Sequence, residues 1–178
     1  MLRGFFFFIT IMFCGIRCET KAQSIDTLFI HAAYLKLQSA ADYTLNVAQL
    51  MPAENYTFKP SNDEMSFGRQ LLHLSQNLGR LSSHYLNNGQ KNPVREADLK
   101  LQQKDSIIAV VNRTYKYALQ ILKHFPPGQL KDTVAFFAGP MNKLQIINLL
   151  NDHQTHHLGQ LVVYLRLQGI KPPSYVGW

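Results

Sequence analysis

Apolar residues recur along the chain in four stretches with the three- and four-residue steps of an α-helix, and no sustained alternation marks a strand. The most regular stripe is Phe67, Leu71, Leu74, Leu78, Leu81 and Tyr85. It predicts a helix seated in a bundle, opening at an N-cap Ser66 and stopping at Asn87-Asn88-Gly89. A first helix is expected over residues 26–50, capped by Ser24 or Asp26. Its looser stripe runs through Leu28, Ala32, Leu35, Ser39, Asp42 and Val47, and Met51-Pro52 ends it. A third spans residues 104–124, with Ile108, Val111, Tyr115, Ala118 and Leu122 on one face and Pro126-Pro127-Gly128 closing it. A fourth runs from near Asn142 to Gly169, with Pro172-Pro173 beyond. Residues 133–140 form at most a short extended piece. With no internal repeat, the pattern predicts an all-α, up-and-down-type four-helix bundle in one domain over residues 23–178.

Before the first helix the pattern changes. Arg3 precedes an almost unbroken apolar run from Phe5 to Ile16, and Thr20-Lys21-Ala22 offers a cleavage site, so residues 1–22 read as a secretory signal peptide. The run is shorter than the roughly 20 apolar residues a spanning helix needs, and the mature chain holds no transmembrane segment. Export to the periplasm or the extracellular space follows as an expectation. Cleavage after Ala22 would leave 156 of 178 residues and remove both cysteines, Cys14 and Cys18. Disulfides, thiolate metal sites and cysteine nucleophiles are then excluded. Losing three of 18 basic and one of 11 acidic residues lowers the net charge from +7 to +5. The remaining Lys and Arg are scattered, without a basic run or aromatic–basic cluster, so no nucleic-acid partner is expected.

The chemistry falls to seven histidines: His31, His73, His84, His124, His153, His156 and His157. His153 and His157 stand four positions apart on the fourth helix, roughly 40° apart in azimuth and about 6 Å along the axis, so both imidazoles can converge on one cation. The stripe through that helix is Ile146, Leu150, His153, His157, Gln160 and Tyr164. Three polar side chains thus interrupt an apolar seam, which costs stability unless a metal ion or a wet cavity satisfies them. The alternative is a pair of core histidines held by hydrogen bonds. His156 points about 100° away from His157 and belongs to the flank. A third ligand is not selected by spacing. His73, beside Leu74 and one turn after Gln70, is the first candidate, ahead of His84, His31 and His124, the last of which also suits a helix C-terminus as a cation.

Two familiar metal chemistries are missing their residues. The His-Glu-x-x-His pattern needs a glutamate where this chain has Gln154, and the di-iron bundle needs Glu-x-x-His pairs that none of Glu54, Glu64 and Glu96 provides. No Gly-x-Ser-x-Gly elbow or glycine-rich phosphate loop is present.

Taken together, Tyr56-Thr57-Phe58-Lys59-Pro60, the Ser66-led helix with Leu71-Leu72-His73, the stretch His153-Gln154-Thr155-His156-His157-Leu158-Gly159-Gln160-Leu161, Tyr164-Leu165-Arg166, Gly169 and Pro172-Pro173 resemble the DinB-like (damage-inducible) family. The resemblance implies a metal-binding four-helix bundle with His73, His153 and His157 as ligands of a divalent ion. Nickel or zinc is the first expectation, with manganese or iron as alternatives. It also implies positions open to a small-molecule substrate. Characterised relatives include thiol-dependent transferases and isomerases using bacillithiol or mycothiol. Leu158 departs from the arginine that many relatives carry there, which changes the charge near the site.

The resulting functional expectation is a metal-dependent enzyme working through an activated water or thiol, of hydrolase or transferase type. Export away from cytosolic thiol cofactors shifts the weight towards hydrolysis. The alternative is a non-catalytic metal- or ligand-binding bundle, because no general base accompanies the histidine cluster in sequence. Gln160 would either hold a ligand or pack beside the site. Arg166 would either bind a substrate carboxylate or serve as a cation at the helix end. The oligomeric state stays open, a homodimer being one option, and the substrate is not specified.

Overall fold

The computed structural model describes residues 24–176, so the leader expected over residues 1–22 lies outside the described residues. Four helices dominate: α1 (Ile25–Leu50), α2 (Phe67–Arg80), α3 (Lys104–Lys123) and α4 (Lys143–Leu167). Among the described residues, no helix is long and apolar enough to cross a membrane. Each boundary has a local cause. The Ser24 and Ser66 hydroxyls accept from the backbone N–H of Thr27 and Arg69, and Asn142 forms a reciprocal capping box with Gln145. No basic residue lies in the last turn of α1. Lys104 from α3 instead donates to the Gln49 and Met51 carbonyls at 2.7 and 2.8 Å.

The seam expected on α2 is fully inside: Phe67, Leu71, Leu74, Leu78, Leu81 and Tyr85 are all buried. After Arg80 the helix widens into a π-helical turn, Leu81–Leu86, which keeps Leu81 and Tyr85 in the core. The stripe expected on α1 needs correction. Of that stripe Val47 is fully buried, but Leu28 and Leu35 are 46% and 47% exposed, and the rest of the buried face is Ile30, Ala33, Leu37, Ala41, Thr44 and Ala48. Small residues fill that face because α1 packs closely along both α3 and α4. On α3, Ile107 rather than Ile108 is fully buried, while Val111, Tyr115, Ala118 and Leu122 lie in the core as expected.

The helices form a ring in the order α1-α3-α2-α4: α1 and α2 each pack on α3 and α4, while α1–α2 and α3–α4 face each other diagonally. Adjacency of α2 and α4 brings His73 to the same helix pair as His153 and His157. The connection after the π-helical turn passes over α2 at Gly79, where a Cβ atom would collide with Asn92 Oδ1. That connection is pinned by buried Asp98, which accepts from the Arg95 backbone and side chain and pairs with Arg113. The extended piece expected over residues 133–140 is a small hairpin, β1 (Thr133–Val134) pairing antiparallel with β2 (Met141–Asn142). Its tip carries Phe136, whose ring stands 5.6 Å from that of Tyr85 in the π-helical turn.

Candidate metal centre

Between α2 and α4 three imidazoles meet. The ring centroids of His73 and His153 are 5.3 Å apart, those of His73 and His157 4.7 Å, and those of His153 and His157 4.4 Å. Their nearest donor nitrogens all lie within 4.8 Å of one another. Donors about 2.1 Å from one tetrahedral zinc ion stand about 3.4 Å from each other, so side-chain rotations of roughly an ångström would close the set on a single ion. Among the described residues this is the one cluster of three metal-type donors. His31 and His84 are exposed, and the His124 ring is engaged with the Gln120 carbonyl at 3.0 Å at the end of α3.

The side chains around the cluster prepare it for a cation. His157 Nδ1–H donates to Gln70 Oε1 at 2.8 Å and has a second acceptor in Gln160 Oε1 at 3.2 Å, which fixes the tautomer and frees Nε2 as a ligand atom. Gln70 is only 1% exposed. Its amide Nε2 faces the Tyr164 hydroxyl at 3.5 Å, and that hydroxyl donates to the Met65 carbonyl at 2.6 Å. Gln160 also reaches outward, its amide donating to His156 Nε2 at 3.2 Å. His153 Nδ1 is buried and has no hydrogen-bond partner among the described residues, an unmet need that a bound ion could help to explain. Burial, reinforced by the neighbouring imidazoles, lowers His153 and His157 to about 4, and burial together with Arg69 lowers His73. All three are therefore neutral at pH 7, as metal ligation requires. These observations fit a divalent ion held by three histidines.

His73, His153 and His157 are thus brought together, with Gln160 bonded to His157. Arg166 stays apart, exposed in the last turn of α4 nine residues beyond His157, and Asp152 faces solvent near Lys36. Gln154, at the position where a zincin carries its glutamate, turns into another part of the core. There the Tyr115 hydroxyl donates to its Oε1 at 3.0 Å and pairs with the Thr44 hydroxyl at 3.0 Å, linking α4, α3 and α1. Gln70 is the residue the sequence reading passed over. Its signal was present, since position 70 lies three after Phe67 and four before Leu74, on the buried face of α2.

A bundle of four helices that closes three neutral histidines between its second and fourth members defines the class. The chain belongs to the DinB family, whose model matches residues 23–177. In fold it is similar to a DinB-like protein from Bacillus cereus ATCC 10987, with a TM-score of 0.64 at 18% identity, covering 86% of this chain and 99% of the other. It is also similar to a DinB-like protein from Bacillus subtilis, with a TM-score of 0.60 at 16% identity, covering 81% and 96%. No curated protein sequence matches this chain.

Proposed function

We propose that this protein is an exported metal-dependent enzyme that holds a divalent ion, zinc or nickel ahead of manganese or iron, on His73, His153 and His157. The observation that carries the reading is the prepared donor set: three neutral imidazoles within reach of one ion, one oriented by Gln70 and one with a buried, unpartnered nitrogen. When bound, such an ion supplies the Lewis acidity that makes a water or a thiol nucleophilic at neutral pH. The protein's own contribution is positional. Gln70 and Gln160 hold the His157 ring, and Leu74 on α2 and Leu150 and Leu161 on α4 are buried in the core that the two helices share. Hydrolysis is favoured over thiol transfer because Arg3 and the apolar run Phe5–Ile16 support export.

Metal content decides the first part. The purified chain incubated with zinc or nickel should take up about one equivalent, and His73→Ala, His153→Ala and His157→Ala should each abolish stoichiometric uptake. Wild-type protein that takes up no divalent ion sinks the reading. Screening esters, amides and thiol-transfer substrates then separates an enzyme from a carrier. The carrier reading has one observation in its favour: no carboxylate hydrogen-bonds any of the three histidines among the described residues.

A further inference from the structure

His73, Asn77 and Arg80 follow one another on α2 at steps of four and three and so share a face. That face separates two clefts beside the histidine centre. One, of about 300 Å³, lies between α2, α4 and the hairpin tip and is lined by Asn77, Arg80, Leu149, His153, Phe136 and Phe137. The other, of about 350 Å³, lies over His73 and includes Glu96 beside Asn77 and Arg80.

Three features of the first cleft are unspent by the fold. The Arg80 guanidinium makes no hydrogen bond or ion pair with any described residue, although its five donors form a fork suited to a carboxylate. The Asn77 Oδ1 atom is buried without a donor, which leaves a hydrogen bond to be supplied from the cleft. Phe137 is 85% exposed and leans on Phe136 at 4.5 Å between ring centroids, so beyond the ring that Phe136 packs on the core the hairpin presents an aromatic surface that the core does not cover. No acidic residue lines this cleft, whereas Glu96 would repel an anion from the other.

We propose that the first cleft binds a small organic monocarboxylate with an apolar arm, the carboxylate on Arg80, the arm against Phe136 and Phe137, and an N–H or O–H of the ligand on Asn77 Oδ1. A single guanidinium without a second cation matches one carboxylate better than a doubly charged phosphate. The same placement sets the ligand's neighbouring carbonyl beside His153. An N-acylated amino acid with a large side chain has all three groups in order. The inference deepens the functional reading and rests on it only for the bond that lies next to His153.

The test uses N-acetylphenylalanine, its neutral C-terminal amide and N-acetylglycine, titrated into the metal-free and the zinc-loaded chain and followed by calorimetry. N-acetylphenylalanine should bind at least about tenfold more tightly than the amide, the difference that a charge-assisted pair supplies, and more tightly than N-acetylglycine. Arg80→Gln should erase the preference for acid over amide, Arg80→Lys should keep part of it, and Phe137→Ala should weaken both phenylalanine ligands while keeping their ratio. Both side chains are exposed, so folding is retained, and circular dichroism verifies it. Equal binding of acid and amide, no binding of either, or a preference that survives Arg80→Gln overturns the proposal. Zinc stoichiometry on the same samples separates the two ideas: an Arg80-dependent preference in protein that takes up no metal sinks the metal reading and leaves this cleft standing.

Discussion

Replacing Gln70 with leucine tests how the histidine centre is held. The substitution removes the acceptor 2.8 Å from His157 Nδ1 and keeps the side-chain volume nearly constant at a position only 1% exposed. Tyr164 keeps its bond to the Met65 carbonyl, so the fold has no reason to move. One net hydrogen bond corresponds to about 1 kcal/mol, or roughly fivefold in affinity. Gln160, already 3.2 Å from the same nitrogen, can take over part of the role. Gln70→Leu alone should therefore weaken zinc binding by less than about fivefold. The double variant Gln70→Leu/Gln160→Ala should approach the roughly 10- to 100-fold loss seen when a ligating histidine loses its orienting partner. Gln70→Glu should tighten binding, because a carboxylate raises the basicity of the ring. Competition against a chromophoric zinc chelator measures all three, with thermal melts of the metal-free proteins as the folding control. Unchanged affinity in the double variant, with His157→Ala still abolishing binding, would refute the orienting role.

Other consequences can be checked independently. His153 and His157 resist protonation until about pH 4 in the fold but accept protons near 6.5 when unfolded, so the unfolded chain binds more protons between those values. Metal-free protein should hold its full histidine-dependent stability above about pH 6.5 and lose it as the pH falls towards 4, in urea melts across that range; His153→Phe should flatten the dependence. Asp98 is held at about 2, chiefly by its hydrogen bond from Arg95, with the Arg95 backbone and Arg113 adding to it. Asp98→Ala should cost about 2 kcal/mol in chemical denaturation, below the value for a fully buried pair because both arginines reach solvent. Leu74→Ala, at a fully buried position of the α2 seam, should cost about 3 kcal/mol in the same assay.

How far the sequence carried depends on residue size at each face. The α2 seam was readable because large aliphatic and aromatic residues keep strict steps from Phe67 to Tyr85, and every one is buried. On α1 Ala33, Ala41 and Ala48 share the inner face with Ile30, Leu37 and Val47 while Leu28 and Leu35 face out, so large apolar residues on both sides blurred the stripe. The interrupted seam of α4 located His153 and His157 because polar residues at buried positions are costly enough to mark a purpose. Spacing could not choose among His73, His84, His31 and His124, since the choice depends on which helix lies beside α4. That is set by the paths of the long connections, which carry little periodic signal. Asn77 and Arg80 were hidden for another reason: their importance comes from the hairpin tip placed opposite them, far along the chain.

The ring order α1-α3-α2-α4 also bears on how the chain can be divided. Helices consecutive at either end of the sequence, α1 with α2 and α3 with α4, sit across the diagonal and have almost no shared surface. In this fold neither the N-terminal nor the C-terminal half covers its own apolar stripe; each half is closed by the other. A nascent chain must wait for α3 before its first two helices have a common partner, and for α4 before His73 meets its companions. Assembly of the three histidines therefore depends on α2 and α4 being neighbours, so it reports on the pairing of helices far apart in the sequence.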